Sequence, residues 1–532
     1  MNTINIFFNK LKFNSGAIWL ENETIKAFVP PVLQNQETKD FIINNKSELI
    51  TILKENKITS KELFSDVIIF VDKNSSHYPL SVVQERLWLF EKAKGGSNTQ
   101  HLPQIYELDV NADIEGIKHA LRQIVSRHEI LRSTIEQKNT NEKCIQVVNE
   151  EPLPFESQLL IDTNDYMSII KEDIHRPFCL SSEYPIRVKF YTITSSSGKP
   201  TKTLVLINIH FIAHDGWSYD IFQKELFGFY EAYKDNDTTF SFPALEIQYK
   251  DYALWQQAYL EGDAIENQLI YWKNKLKGYQ RLELPTDYPR PSEINYNGAE
   301  HVFNINKKIS GQLHEIAKFN GVTLNSVMIS SVNILLGKYT GQDDIVIGRV
   351  MANRHHWQTK EVIGAFANRL ANRTILKKEQ SFNELVQQVH QDQIEAQLNQ
   401  DLPIEKLIEA LQIEQDSSMH PIFQVMFSVQ DFGNEEKYSK EQQNFLKPLE
   451  SEGIYQIEKF DLSIFIDDFG DDLSVQIGYF TSLFHKDTIE NMAVQFLDLL
   501  EQLVQSPDKA YSQFSLLPSQ EHILVGYEQS EC

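Results

Sequence analysis

Apolar and amide residues alternate near the N-terminus, which predicts a short amphipathic stretch from Asn5 to Phe13. Two β-like runs follow, Ala17–Leu20 and Thr24–Val29, with Glu21-Asn22-Glu23 as a hairpin turn and Pro30-Pro31 as the stop. A longer helical pattern covers Glu37–Asn56. These elements predict a miniature domain over residues 1–62. The polar turn formers at Asp72–His77 then predict a linker, assigned to residues 63–77.

From Pro79 onward helices and strands mix, with amphipathic helices near Val82–Phe90, Ile114–Val125 and Tyr219–Tyr233. That order predicts a layered α/β (α+β) architecture. Leu204–Phe211 reads LVLINIHF, a strand with Val205, Ile207, Ile209 and Phe211 on one face and Leu206, Asn208 and His210 on the other. Asp215-Gly216 reads as a turn directly after it. The helical run Ile247–Tyr279 stops before the proline-punctuated stretch Leu284–Pro291, so the body divides into two lobes, residues 78–258 and 259–514.

Composition narrows the function classes. A net charge of -24, from 74 acidic and 50 basic side chains, opposes a phosphate backbone or an anionic membrane as the primary partner. Hydrophobic residues at 41% fit a globular chain of more than one domain. Cys144, Cys179 and Cys532 are far apart and form no CxxC pair, which suggests no metal site and fits a reducing cytoplasm.

Several short stretches stand in a telling order: Tyr78-Pro79-Leu80-Ser81 with Gln84–Trp88, Arg127–Arg132, His210–Ser218, and Tyr249–Gln256. Ile363–Asn368, Asp401–Glu405 and His420–Gln424 follow. Their sequence and spacing resemble the condensation domains of nonribosomal peptide synthetases, the HHxxxDG acyltransferase superfamily, from Tyr78 to the end. Residues 515–532 resemble the connector that leads into an adenylation domain. Residues 1–62, with Trp19 entering the hairpin, resemble the β-hairpin docking domains that open some synthetase subunits.

The resemblance implies two chloramphenicol-acetyltransferase-like lobes in a V shape around a central tunnel. It implies amide bond formation between a donor acyl thioester and an acceptor aminoacyl thioester. Both would arrive on the 4'-phosphopantetheine arms of carrier proteins, with no intrinsically bound cofactor. It further implies a downstream adenylation domain and an upstream subunit whose C-terminal peptide adds to the exposed hairpin edge, Trp19 and Lys26 contributing recognition.

Here the signature reads His210-Phe211-Ile212-Ala213-His214-Asp215-Gly216, so Phe211 occupies the position of the family's catalytic histidine. An imidazole titrates near neutrality and can accept the proton of an attacking amine; a phenyl ring cannot. Catalysis is therefore expected to be impaired, whether the replacement is natural or introduced. By resemblance His210, Asp215 and Gly216 are structural, with Asp215 paired to Arg354. His214, Trp217, Ser218 and Asn368 are the candidates for lining the tunnel. The alternative, from another class, is a non-catalytic module of the same fold that recruits or gates carrier proteins or a tailoring enzyme.

Overall fold

The structure, a computed structural model, describes residues 2–67, 78–137, 143–162, 166–414, 416–430, 445–449, 454–469 and 472–516. Residues 68–77 of the expected linker and 517–532 of the expected connector lie outside the described residues.

Helix Asn2–Phe13, the hairpin Ala17–Glu21/Thr24–Phe28 and helices Gln36–Asn44, Lys46–Glu55 and Lys61–Asp66 form the N-terminal unit. Its core joins Ile4, Phe8, Leu11, Ile18, Leu49, Leu53 and Phe64. Because Phe64 is part of that core, helix Lys61–Asp66 belongs to this unit and not to the connector assigned from residue 63. The hairpin turn is two residues, not three: Glu21 pairs with Thr24, and Asn22 and Glu23 both take left-handed angles, the twist that a two-residue loop requires. The helical pattern of Glu37–Asn56 is broken at Asn45, whose side-chain amide donates to the Phe41 carbonyl at 2.8 Å and competes with the helix. Helix Asn2–Phe13 packs against helix Tyr249–Leu260 of the body, so more than the linker joins the two.

The body has two α/β lobes. The first is a five-stranded sheet ordered Leu446–Pro448, His101–Leu108, Pro200–His210, Ile186–Thr194, Phe155–Ile161. One face packs helices Ile114–Arg127 and Gly216–Lys234 through Ile117, Leu121, Ile124, Phe222 and Leu226. The second lobe is a six-stranded sheet ordered Gly298–Ile305, Asp472–Phe480, Leu462–Phe469, Val425–Gln430, Asp344–Met351, Asn368–Ile375. Helices Leu324–Thr340, Phe382–Leu398 and Lys486–Gln505 cover one face of it.

Two expectations change. The run Ile247–Tyr279 is two helices, Tyr249–Leu260 and Asp263–Lys275, separated at Gly262. The lobes also interleave: Leu446–Pro448 and the buried Val362, Ile363, Ala365 and Phe366 come from the second half of the chain but pack in the first lobe. No single helix among the described residues is long and apolar enough to cross a membrane.

Candidate active site

Strand Pro200–His210 carries His210 to the edge of the first lobe, opposite His101 of the neighbouring strand. His210 Nδ1 accepts the N–H of Ile212 at 3.0 Å, which leaves Nε2 to carry the proton, 3.6 Å from Glu91 Oε1. Burial pushes the His210 imidazole below its ordinary range even though Glu91 pulls the other way, so the ring is neutral. Glu91 is fixed in turn by the Ser97 N–H at 2.6 Å and Ser97 Oγ at 2.8 Å. Burial opposes its ionisation, but His210 and Ser97 outweigh that and hold the carboxyl below its usual value.

Asp215 is a hub. It caps helix Gly216–Lys234, its Oδ1 accepting from Ser218 N at 2.9 Å, Ser218 Oγ at 2.7 Å and Arg354 Nη2 at 3.0 Å. Oδ2 accepts the N–H groups of Phe366 at 3.0 Å and Ala367 at 3.2 Å. Arg354 spends Nη1 on the carbonyls of Thr359 and Val362, each at 2.6 Å. The preceding Asn353 has φ 54, a left-handed angle that asparagine tolerates. Gly364 N donates to Ser218 Oγ at 3.1 Å, and a Cβ at Gly364 would lie 2.0 Å from the Tyr249 ring. The hub therefore pins a segment of the second half, residues 359–367, onto the first lobe.

The residues singled out in the sequence separate accordingly. His210 and Asp215 fix backbone, and Arg354 joins Asp215. Gly216 is the first residue of its helix and is not among the glycines with left-handed backbone, so the turn read at Asp215-Gly216 is a helix cap. Of the four tunnel candidates, Trp217, Ser218 and Asn368 have polar groups engaged by the scaffold, whereas His214 does not. His214 is buried, neither ring nitrogen has a partner among the described residues, and burial lowers it to about 4. Trp217 is half-exposed and donates Nε1–H to the Lys360 carbonyl at 3.0 Å. Ser218 lies inside the hub. Asn368 donates to the carbonyls of Gln400 at 2.8 Å and Leu402 at 2.9 Å, a scaffold role at the start of its strand. In the N-terminal unit Trp19 stands opposite Lys26, which pairs with Glu21 at 3.4 Å on an exposed face.

Phe211 departs from the alternation that the sequence suggested. The strand ends at His210, and Phe211 opens a short turn, Phe211–Ala213, its N–H donating to the Gln100 carbonyl at 2.8 Å. Its ring lies under the Lys459 ammonium nitrogen, 4.3 Å from the ring centroid. Lys459 lies deep in the molecule but keeps part of its surface open. Burial, with Arg369 and Arg86 nearby, lowers its amine to about 7. Two cavities flank this region. One of about 870 Å³ lies between the lobes, lined by Ser97, Thr99, Tyr296 and Gly298 among others. Another of about 650 Å³ is lined by Glu91 and Phe178.

Sequence reasoning missed Glu91 and Lys459. Glu91 reads as one more charge on an amphipathic helix, and Lys459 precedes a strand with nothing in its surroundings to mark it. His355, His356 and Asp401 present ligand atoms within 4.8 Å of one another, a grouping compatible with a divalent metal. Asp401 is already engaged by His355 Nε2 at 3.2 Å, the Tyr259 hydroxyl at 3.2 Å and Gln268 Nε2 at 3.1 Å, so these groups satisfy it without an ion.

Comparison with known proteins sets this geometry in context. The family model described as the condensation domain matches residues 74–524. Gramicidin S synthase 2 of Aneurinibacillus migulanus is 31% identical over 446 residues, covering 84% of this chain and 10% of that protein. Tyrocidine synthase 2 of Brevibacillus parabrevis is 31% identical over 465 residues, covering 86% and 12%. The chain thus spans about a tenth of the length of these curated relatives. Among solved structures, the X-domain in its complex with OxyB from teicoplanin biosynthesis superposes with a TM-score of 0.74 at 25% identity, covering 84% of this chain and 98% of that one. The first condensation domain of the calcium-dependent antibiotic synthetase, in complex with a substrate analogue, gives 0.65 at 17% identity over 83% and 100%, a likeness of fold.

Proposed function

Because the chain belongs to the condensation-domain family, matched over residues 74–524, we propose that it is built to join a donor acyl thioester to the amine of an acceptor aminoacyl thioester, with catalysis impaired at Phe211. The observation that carries this reading is the intact frame around a changed centre. The Asp215–Arg354–Ser218 hub and the His210–Glu91 contact are in place, whereas the position next to His210 holds a phenyl ring. What remains is positioning: bringing nucleophile and carbonyl together in one cleft is itself a large share of catalysis.

In this reading the substrates arrive on phosphopantetheine arms of donor and acceptor carrier proteins, no cofactor is bound by the chain itself, and an adenylation domain follows. The setting is the cytoplasm. Residues 2–67 form the docking unit. Strand Thr24–Phe28 pairs only with Ala17–Glu21 among the described residues and is largely exposed, so its outer edge is free to take the C-terminal peptide of an upstream subunit, Lys26 selecting an acidic one.

A single-turnover assay with chemically loaded donor and acceptor carrier proteins, read by intact mass, tests the catalytic part. General acid–base help is worth about 10²–10⁴-fold, so Phe211→His is expected to raise product formation at least tenfold. No gain from Phe211→His overturns the reading. The likeness to an X-domain solved in complex with OxyB favours a second reading, a recruitment or gating module for carrier proteins or a tailoring enzyme. It predicts tight carrier or enzyme binding and no product from either form.

A further inference from the structure

The condensation reading leaves one titratable group unexplained. Lys459 Nζ lies 4.3 Å from the centroid of the Phe211 ring, and so next to the space that an imidazole at position 211 would occupy. Its place is fixed from both sides: the Lys459 carbonyl accepts from His420 Nε2, and Phe460, the next residue, is buried in the second-lobe core. No hydrogen bond engages its amine among the described residues.

The charged groups around Lys459 come from four elements. Arg369 faces it from strand Asn368–Ile375, and Arg86 from helix Val82–Lys94, itself paired with Glu405 of helix Ile404–Leu411 at 2.8 Å. Glu458 is the chain neighbour, its carboxylate engaged by Ser463 Oγ at 2.8 Å, and buried so that its carboxyl is raised to about 7. His210, at the end of strand Pro200–His210, feels the Lys459 charge as well. Burial and the two guanidinium groups disfavour a further positive charge, and the Glu458 carboxyl only partly offsets them. A lysine in such a setting exists in part as the free amine at neutral pH, which is how lysines become general bases.

We propose that Lys459 takes over the proton-accepting task that Phe211 cannot perform. The acceptor's amine nitrogen attacks the donor's thioester carbonyl carbon, the new C–N bond forms, and a proton of that nitrogen passes to Lys459 Nζ. As the C–S bond breaks, Lys459 returns the proton to the departing sulfur, leaving the amide, a free phosphopantetheine thiol and the lysine amine restored. No oxidant, metal or further reactant is needed.

This rests on the condensation reading, and the test separates the two. Five proteins are compared in the loaded-carrier assay between pH 6 and 8.5: the native chain, Lys459→Met, Lys459→Arg, Phe211→His and Phe211→His/Lys459→Met. Thermal unfolding checks that each is folded. The expected result is slow product formation by the native chain, rising with pH through about 7, and a loss of about 100-fold in Lys459→Met together with that pH step. Lys459→Arg, which keeps the charge but cannot accept a proton, is expected to fail equally. Phe211→His/Lys459→Met retains product formation, because the imidazole acts alone. Equal rates and pH profiles for the native chain and Lys459→Met overturn the proposal. Product from Phe211→His but none from the native chain also overturns it while leaving the condensation reading standing, and no product from any of the five overturns both.

Discussion

Arg354 Nη2 lies 3.0 Å from Asp215 Oδ1, each side chain only 1% exposed, and the pair ties the loop after strand Asp344–Met351 to the first turn of helix Gly216–Lys234. A buried pair of this kind stabilises less by its own attraction than by what its loss leaves behind. Arg354→Met strands a carboxylate with the donors of Ser218, Phe366 and Ala367 alone, so a loss of about 3–5 kcal/mol is expected in urea unfolding. The double variant Asp215→Asn/Arg354→Met, which removes both charges, is expected to recover part of that loss.

Gly364 tests the same junction sterically. A methyl group there would sit 2.0 Å from the Tyr249 ring, whose hydroxyl donates to the Ala365 carbonyl at 2.8 Å with Ser81 Oγ also at 2.8 Å. Neither side can yield without losing a hydrogen bond. Gly364→Ala is expected to cost about 1–3 kcal/mol. In the Tyr249→Leu background the same change is expected to cost less, and equal costs in the two backgrounds would mean that the clash lies elsewhere.

Acid stability depends on buried histidines. His101, His214 and His420 are each lowered by burial to about 4 from the ordinary 6.5. Since the folded value lies below the unfolded one, the unfolded chain binds the proton first as pH falls. The stability is complete above about pH 6.5 and declines toward pH 4, each histidine contributing a slope of about 1.4 kcal/mol per pH unit. Urea midpoints measured at pH 7 and pH 5 are expected to show this decline. His214→Leu, which removes one titrating ring with unpartnered nitrogens, is expected to flatten it by one histidine's share.

How far the sequence led varies with the range of the interactions. Most of strand Pro200–His210 and most of helix Gly216–Lys234 follow from local pattern, an apolar run and then a helical period, although Asp215-Gly216 reads as a turn and is the helix cap. The same pattern misassigned Phe211, because alternation continues one residue past the true strand end and only the hydrogen bond to Gln100 shows where the strand stops. The pairing of Asp215 with Arg354 came from resemblance alone, since no periodicity links positions so far apart. Trp217, Ser218 and Asn368 illustrate the reverse limit: polar groups near a signature can be consumed by the scaffold, and nothing in their spacing tells which. Lys459 was out of reach, as its character arises from burial and from Arg369, Arg86 and Phe211, all brought to it by folding.

The three residues Leu446–Pro448, paired in antiparallel register with Tyr106–Leu108, bear on how such domains can be recombined. A graft that exchanges the second lobe exports this strand with it, so the recipient's first-lobe sheet acquires a foreign border, while a truncation that omits it leaves the His101–Leu108 edge bare and open to pairing with another molecule. A junction placed in the chain between the lobes is therefore not a boundary between independent parts. Chimeras that keep 445–449 matched to 101–108 preserve the seam, whichever lobe is donated.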